Sequence, residues 1–198
     1  MKQILLLRHG KTKGNLEGRY IGARTDEPLC QDGISHLLQR KESLQKELSF
    51  VQMVYVSPMQ RAIQTAEILF PGIKPMPLEQ LKEIDFGDFE NKNYEELNGN
   101  ADYQKWIDQG GKSDYPGGEG YNAFIQRSMH GFRKVLIDME QRNLHSAGVV
   151  CHGGNIMSVM SILSGKDYFD FQIGNAEGFL LEIETKEQEI DLVSYRRI

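Results

Sequence analysis

The sequence is poor in cysteine, with only Cys30 and Cys151 in 198 residues, too few for a disulfide framework. Neither cysteine is followed six positions later by arginine, since those places hold His36 and Met157. A cysteine-based phosphatase loop, which needs both residues at that spacing to surround a phosphate, is therefore excluded. Cys151 adjoins His152, yet further ligands at zinc spacing are missing, and no carboxylate cluster suited to Mg²⁺ stands out. No metal or other cofactor is expected. The sequence also lacks any apolar run approaching the ~20 residues of a membrane span. The apolar start is too short for a signal peptide and follows a single Lys2. These absences together point to a cytoplasmic protein without a membrane partner.

Excess positive charge is missing as well. The formal net charge is −5, whereas a nucleic-acid binder usually presents a broad cationic face. What positive charge there is lies close together: residues 1–25 carry Lys2, Arg8, Lys11, Lys13, Arg19 and Arg24 against Glu17 alone. Residues 79–120 carry eleven acids against four bases. A small anionic ligand fits this local concentration better than a nucleic acid. Gly10-Lys11-Thr12 and Gly111-Lys112-Ser113 both end like a phosphate-binding P-loop, but Leu5 and Trp106 stand where its leading glycine must be. Attention moves to the preceding pair, Arg8 and His9.

A length of 198 residues suits one domain, with residues 1–198 sharing a single core. Lys2 to Arg8 reads as a buried strand. Ile34, Leu37, Leu38, Leu44 and Leu48 recur at helical spacing after Asp32, a suitable N-cap. Val51 to Ser57 reads as a second strand running into a helix, with Ser57 as cap, Pro58 in the first helical position, and Ile63, Ala66 and Leu69 on the apolar face. Acid-rich residues 79–120 read as an insertion lying over the sheet like a lid. A long amphipathic helix from Tyr121 to Arg142, the strand "AGVVCH", a helix from about Asn155 to Leu163, and strands near Phe179 to Ile183 and Ile190 to Tyr195 complete the chain.

This alternation predicts a three-layer α/β/α sandwich with a mostly parallel central sheet. Ligands of such sheets bind beyond the carboxyl ends of the strands. Arg8-His9-Gly10, Ser57 with Arg61 one turn on, and His152-Gly153-Gly154 should then face one crevice. Two arginines, two histidines and helix N-termini suit a phosphoryl group.

The ordered blocks "RHGKTKGN", "SPMQRAIQTAEIL", "LKEIDFGDFE", "PGGEGY" and "VVCHGGNI" resemble the histidine phosphatase superfamily. The branch concerned includes cofactor-dependent phosphoglycerate mutases, the fructose-2,6-bisphosphatase domain and bacterial α-ribazole phosphatases. The resemblance implies that His9 is the nucleophile and becomes a phosphohistidine, with His152 donating to the transferring phosphoryl group. It implies that Arg8 and Arg61 stabilise the charge, that Asn15 and the Gly153 backbone contact phosphate, and that Glu83 protonates the leaving oxygen. Asp85 is the local alternative for that last task.

The function implied is metal-independent hydrolysis of a small phosphate ester. The mutases use an additional basic pair in the insertion, and between Asn93 and Gly120 this chain offers only Lys105 and Lys112. A mutase and a catalytically silent phosphoryl-ligand binding domain are the alternatives. Lys11, Cys30, Gly120 and Met157 depart from the usual family residues around the pocket and leave the substrate open. The oligomeric state is open as well.

Overall fold

Ile4, Leu5, Leu6 and Leu7 are each at most 1% exposed, so the first strand has no solvent face. The computed structural model describes residues 1–186 and 189–198. Strand β1 (Lys2–Arg8) lies inside a six-stranded sheet with β2 (Met53–Val56), β3 (Met76–Pro77), β4 (Ser146–Cys151), β5 (Gly178–Lys186) and β6 (Glu189–Arg197). The order is β3-β2-β4-β1-β5-β6. β1, β2, β3 and β4 pair in parallel, and β5 pairs antiparallel with both β1 and β6. The fold is mixed α/β and mostly parallel, as the alternation of strands and helices predicted.

Both faces of the sheet are covered by helices. Ile4, Leu6, Val149 and Cys151 belong to one core together with Phe132 and Val135 of α7 (Tyr121–Gln141) and Val159 of α8 (Gly153–Ser164). Leu5, Leu7, Val54 and Val56 point the other way, packing with Leu37 of α2 (Gln31–Ser43) and Ala62 and Ala66 of α4 (Gln60–Leu69). The strict alternation along each strand divides the apolar residues between two cores. The remaining helices are short: α1 (Lys13–Leu16), α3 (Gln45–Ser49), α5 (Tyr94–Leu97) and α6 (Ala101–Asp108). Among the described residues no helix is long and apolar enough to cross a membrane.

Several local expectations need correction. Asp32 does not cap α2; the cap is Cys30, whose Sγ accepts from the Gly33 amide at 3.3 Å. The helical periodicity through Leu48 is broken at Leu44, where α2 ends and α3 begins. Ser57 and Pro58 lie outside α4, whose N-cap is Met59. The Gln60 amide is instead satisfied at 2.7 Å by the Asp26 carboxylate, which comes from a distant loop and is invisible to a local capping rule. Residues 79–120 form 3₁₀ turns together with α5 and α6. That segment has its own apolar anchors, Phe89 and Leu97, each at most 1% exposed.

Candidate active site

The register of three neighbouring strands builds the site. Arg8 of β1 pairs with Cys151 of β4, and the ladder continues one step as the His9 amide donates to Cys151 O at 3.0 Å. Across β4, the Ser57 amide donates to Val150 O at 2.9 Å. Parallel pairing thus brings Ser57, His152 and His9 side by side at the carboxyl edge. The two imidazoles stand edge to face with centroids 5.0 Å apart.

His9 Nδ1 donates to its neighbour's carbonyl, Gly10 O, at 2.7 Å, which leaves the lone pair on Nε2. His9 is 3% exposed, and burial first, then Arg61 and Arg8, hold its pKa well below the ordinary imidazole value. The result is a neutral imidazole at physiological pH. His152, fully buried, is held neutral in the same way, by burial and then by Arg61.

The arginines are held by backbone carbonyls. Arg61, the second residue of α4 and fully buried, gives its terminal nitrogens to Thr25 O at 2.8 Å and to Gly22 O at 3.2 Å. Arg8 Nη1 donates to Ile173 O at 2.7 Å. Burial lowers both guanidinium pKa values, yet an arginine remains charged in proteins. Arg8 Nε, Arg61 Nε and His152 Nδ1 are all buried without a hydrogen-bond partner. Buried polar nitrogens left unpaired are costly, and these three belong to the residues whose charge or ring bears on His9, a setting that suits an acceptor-rich group.

Glu83 follows a 3₁₀ turn and is 7% exposed. Burial raises its carboxyl pKa, against the opposing pull of the Ile84 amide and of Arg61 and Arg8. A Cβ at Gly154 would lie 2.5 Å from Glu83 Oε1, so the glycine is what allows the carboxyl to reach the start of α8. Asp85 is engaged elsewhere, paired with Arg24 at 2.8 Å and accepting from the Gly87 amide at 2.9 Å. At Gly153 a Cβ would come 3.5 Å from Arg8 Nε. Asn15 uses its carboxamide oxygen in the cap of α1, accepting from Thr12 N at 3.2 Å and from Asn175 Nδ2 at 3.1 Å.

His9, Arg8, Arg61, Glu83, His152 and Gly153 are thus gathered at one end of the sheet, with Asn15 tied to His9 through Asn175. Sequence reasoning missed four supporting side chains. Asn175 donates to His9 O at 3.1 Å from a loop that carries no motif. Glu90 accepts from the amides of Gly22, Arg24 and Thr25 at 2.9–3.1 Å, fixing the loop whose carbonyls hold Arg61. Arg127 grips the carbonyls of Gln80, Lys82 and Glu83 at 2.9–3.2 Å. Thr65 accepts from the Gly10 amide at 2.9 Å while donating to Arg61 O at 2.7 Å. Thr65 and Glu90 fall inside the recognised blocks, but nothing in those blocks indicates a supporting role. Among the described residues no group of three or more His, Cys, Asp or Glu is placed to hold a metal ion.

Comparison with known proteins gives one consistent result. A family model described as "Histidine phosphatase superfamily (branch 1)" matches residues 4–196. The adenosylcobalamin/alpha-ribazole phosphatase of Escherichia coli is 28% identical over 204 residues, covering 99% of this chain and 97% of that protein. The rat 6-phosphofructo-2-kinase/fructose-2,6-bisphosphatase 4 is 32% identical over 157 residues, which is 76% of this chain and 30% of the longer relative. The crystal structure of a phosphoserine phosphatase from Entamoeba histolytica in complex with 3-phosphoglyceric acid superimposes with a TM-score of 0.75 at 27% identity, covering 98% of this chain and 96% of that one.

Proposed function

Because the chain belongs to the histidine phosphatase superfamily, we propose that it hydrolyses a small phosphate monoester through a phosphohistidine on His9. The observation that carries this reading is the trio of unpartnered buried nitrogens, Arg8 Nε, Arg61 Nε and His152 Nδ1, beside a neutral imidazole. In the first step the His9 Nε2 lone pair attacks phosphorus, and the bond from phosphorus to the ester oxygen breaks. The departing oxygen takes the proton of the Glu83 carboxyl, whose raised pKa keeps that proton available. Gly10 O stabilises the positive charge that the phosphorylated ring acquires, through Nδ1–H.

In the second step water attacks phosphorus and gives a proton to the Glu83 carboxylate. The bond from phosphorus to Nε2 then breaks, and His9 returns to its neutral form. Throughout, the arginines and His152 supply the charge stabilisation that phosphoryl transfer demands of a protein. The positive charge is built into the chain, so turnover in the presence of EDTA is part of the proposal, as is a cytoplasmic site of action.

Brief exposure to a ³²P-labelled ester followed by denaturation tests the reading. An acid-labile, base-stable label on the peptide containing His9, absent from His9→Ala, is expected. Label that persists in that variant overturns it.

A further inference from the structure

Beyond the phosphoryl pocket, a cavity of about 330 Å³ opens between two aromatic walls. The inserted segment supplies Phe86, Trp106 and Tyr115, backed by Tyr20. Their rings brace one another: Phe86 meets Tyr115 at 5.1 Å, and Trp106 meets Tyr115 at 5.4 Å. The opposite wall is Tyr121, Tyr168 and Phe169, with successive centroids 5.4 and 5.2 Å apart. The walls approach each other at Gly111, where a Cβ would lie 3.2 Å from the Trp106 ring and 3.3 Å from that of Phe169.

Charge is scarce in this vestibule. Apart from the tyrosines, Arg8 and Glu83 are the only ionisable side chains among the described residues that line it, and both stand at the phosphoryl end. Lys112, near the rim, is paired with Asp167 at 2.5 Å and rests 5.6 Å from the Phe169 ring centroid. Burial pushes the hydroxyl pKa values of Tyr20, Tyr115, Tyr121 and Tyr168 upward, so the tyrosines stay neutral. A flat ring entering such a space exchanges water for aromatic faces and edges. A carboxylate or ammonium entering it loses hydration and finds no counter-charge lining the vestibule beyond Arg8 and Glu83 at the phosphoryl end.

Resting on the phosphatase reading above, we infer that the substrate is the phosphate ester of an uncharged alcohol bearing a flat ring, and that Trp106, Tyr121 and Phe169 select it. Small amino-acid and hydroxy-acid phosphates are the class this vestibule disfavours.

Benzyl phosphate and O-phosphoserine provide the comparison. Both are primary alkyl esters, so both make the same demands on His9 and Glu83 and differ in what fills the vestibule. Wild-type kcat/KM is expected to favour benzyl phosphate by about 10-fold or more, and Phe169→Ala to reduce that ratio roughly fivefold. A second arm needs no turnover. Trp106 is the sole tryptophan of the chain, so its emission reports occupancy directly. In His9→Ala, benzyl phosphate should perturb that emission with a Kd about tenfold or more below those of O-phosphoserine and 3-phosphoglycerate.

Equal or tighter binding of either acid phosphate, or equal turnover of O-phosphoserine, overturns the inference and leaves the phosphatase reading standing. Selective binding of benzyl phosphate in His9→Ala, with no ester hydrolysed and no label on His9 in the wild type, upholds the vestibule's preference and removes the phosphatase reading instead.

Discussion

Ser57 Oγ lies 2.7 Å from His152 Nε2, and both residues are fully buried. The Met59 amide donates to the same hydroxyl at 3.4 Å, which leaves the serine proton available to Nε2 as one of two arrangements of the pair. With the serine proton directed to Nε2, the imidazole proton sits on Nδ1, the nitrogen of His152 that has no partner in the protein. Ser57 is thus a positioning residue that sets which face of His152 donates. Ser57→Ala is expected to lower kcat about 5- to 10-fold with little change in KM, the equivalent of one neutral hydrogen bond of about 1 kcal/mol. The distinguishing readout is ¹⁵N NMR of the ring. Wild type should show a protonated Nδ1 and the variant a mixture of tautomers; an unchanged spectrum removes the role.

The two neutral histidines make stability depend on pH. Their folded pKa values lie well below the ordinary 6.5, so between the folded value and 6.5 the unfolded chain binds more protons than the native one. Stability is therefore fully present above about pH 6.5 and declines as pH falls below it. Glu83 acts in the opposite sense, since its raised carboxyl costs stability as pH rises from 4.5 through its folded value. Thermal denaturation should show a smaller loss of Tm from pH 7.5 to pH 5.5 in His152→Asn than in wild type. Parallel curves would mean that the imidazole titrates normally in the folded state.

Much of this was legible because strands β1 and β4 are apolar on both faces, which marks a buried parallel sheet, and because the residues that follow such strands must meet. Arg8, His9, Arg61 and His152 needed only that rule and the ordered blocks. Glu83 was harder to place, since its burial depends on Gly154, which stands 71 residues further along the chain. Cys30 and Asp26 as helix caps, and Ser57 as partner to His152 rather than as a cap, are tertiary choices. A local rule picks the nearest capping residue, whereas the fold supplies a donor or acceptor from wherever the chain returns. The aromatic walls were hidden for the same reason, because Trp106 and Phe169 become neighbours only through Gly111.

Arg127 offers a test of how the proton donor is held. Its guanidinium takes the carbonyls of Gln80, Lys82 and Glu83, and its ion pair with Glu119 at 2.7 Å uses the fork that lysine lacks. Arg127→Lys keeps the charge and loses most of these bonds. It should cost about 1–3 kcal/mol of stability and slow an alkyl ester more than an aryl ester, because the carboxyl rather than the phosphoryl pocket is displaced. Equal slowing of both esters at unchanged stability would detach Arg127 from Glu83.

Glu83 itself is tested by the leaving group. An alkoxide departs poorly and needs a proton, whereas p-nitrophenolate is stable enough to leave unassisted. Burial raises the Glu83 carboxyl, which favours the protonated form that the first step consumes. Glu83→Gln keeps the shape and removes the acid. It should slow benzyl phosphate by roughly 10²-fold or more and p-nitrophenyl phosphate far less, in a single-turnover measurement that isolates the first step from hydrolysis of the phosphohistidine. The alkaline limb of kcat/KM for benzyl phosphate, which reports loss of that proton, should lie above the ordinary carboxylate range in wild type and flatten in the variant. Equal losses on both esters leave Glu83 with only a part in shaping the pocket. Asp85→Asn then becomes the variant to measure, even though Asp85 stands paired with Arg24 at 2.8 Å.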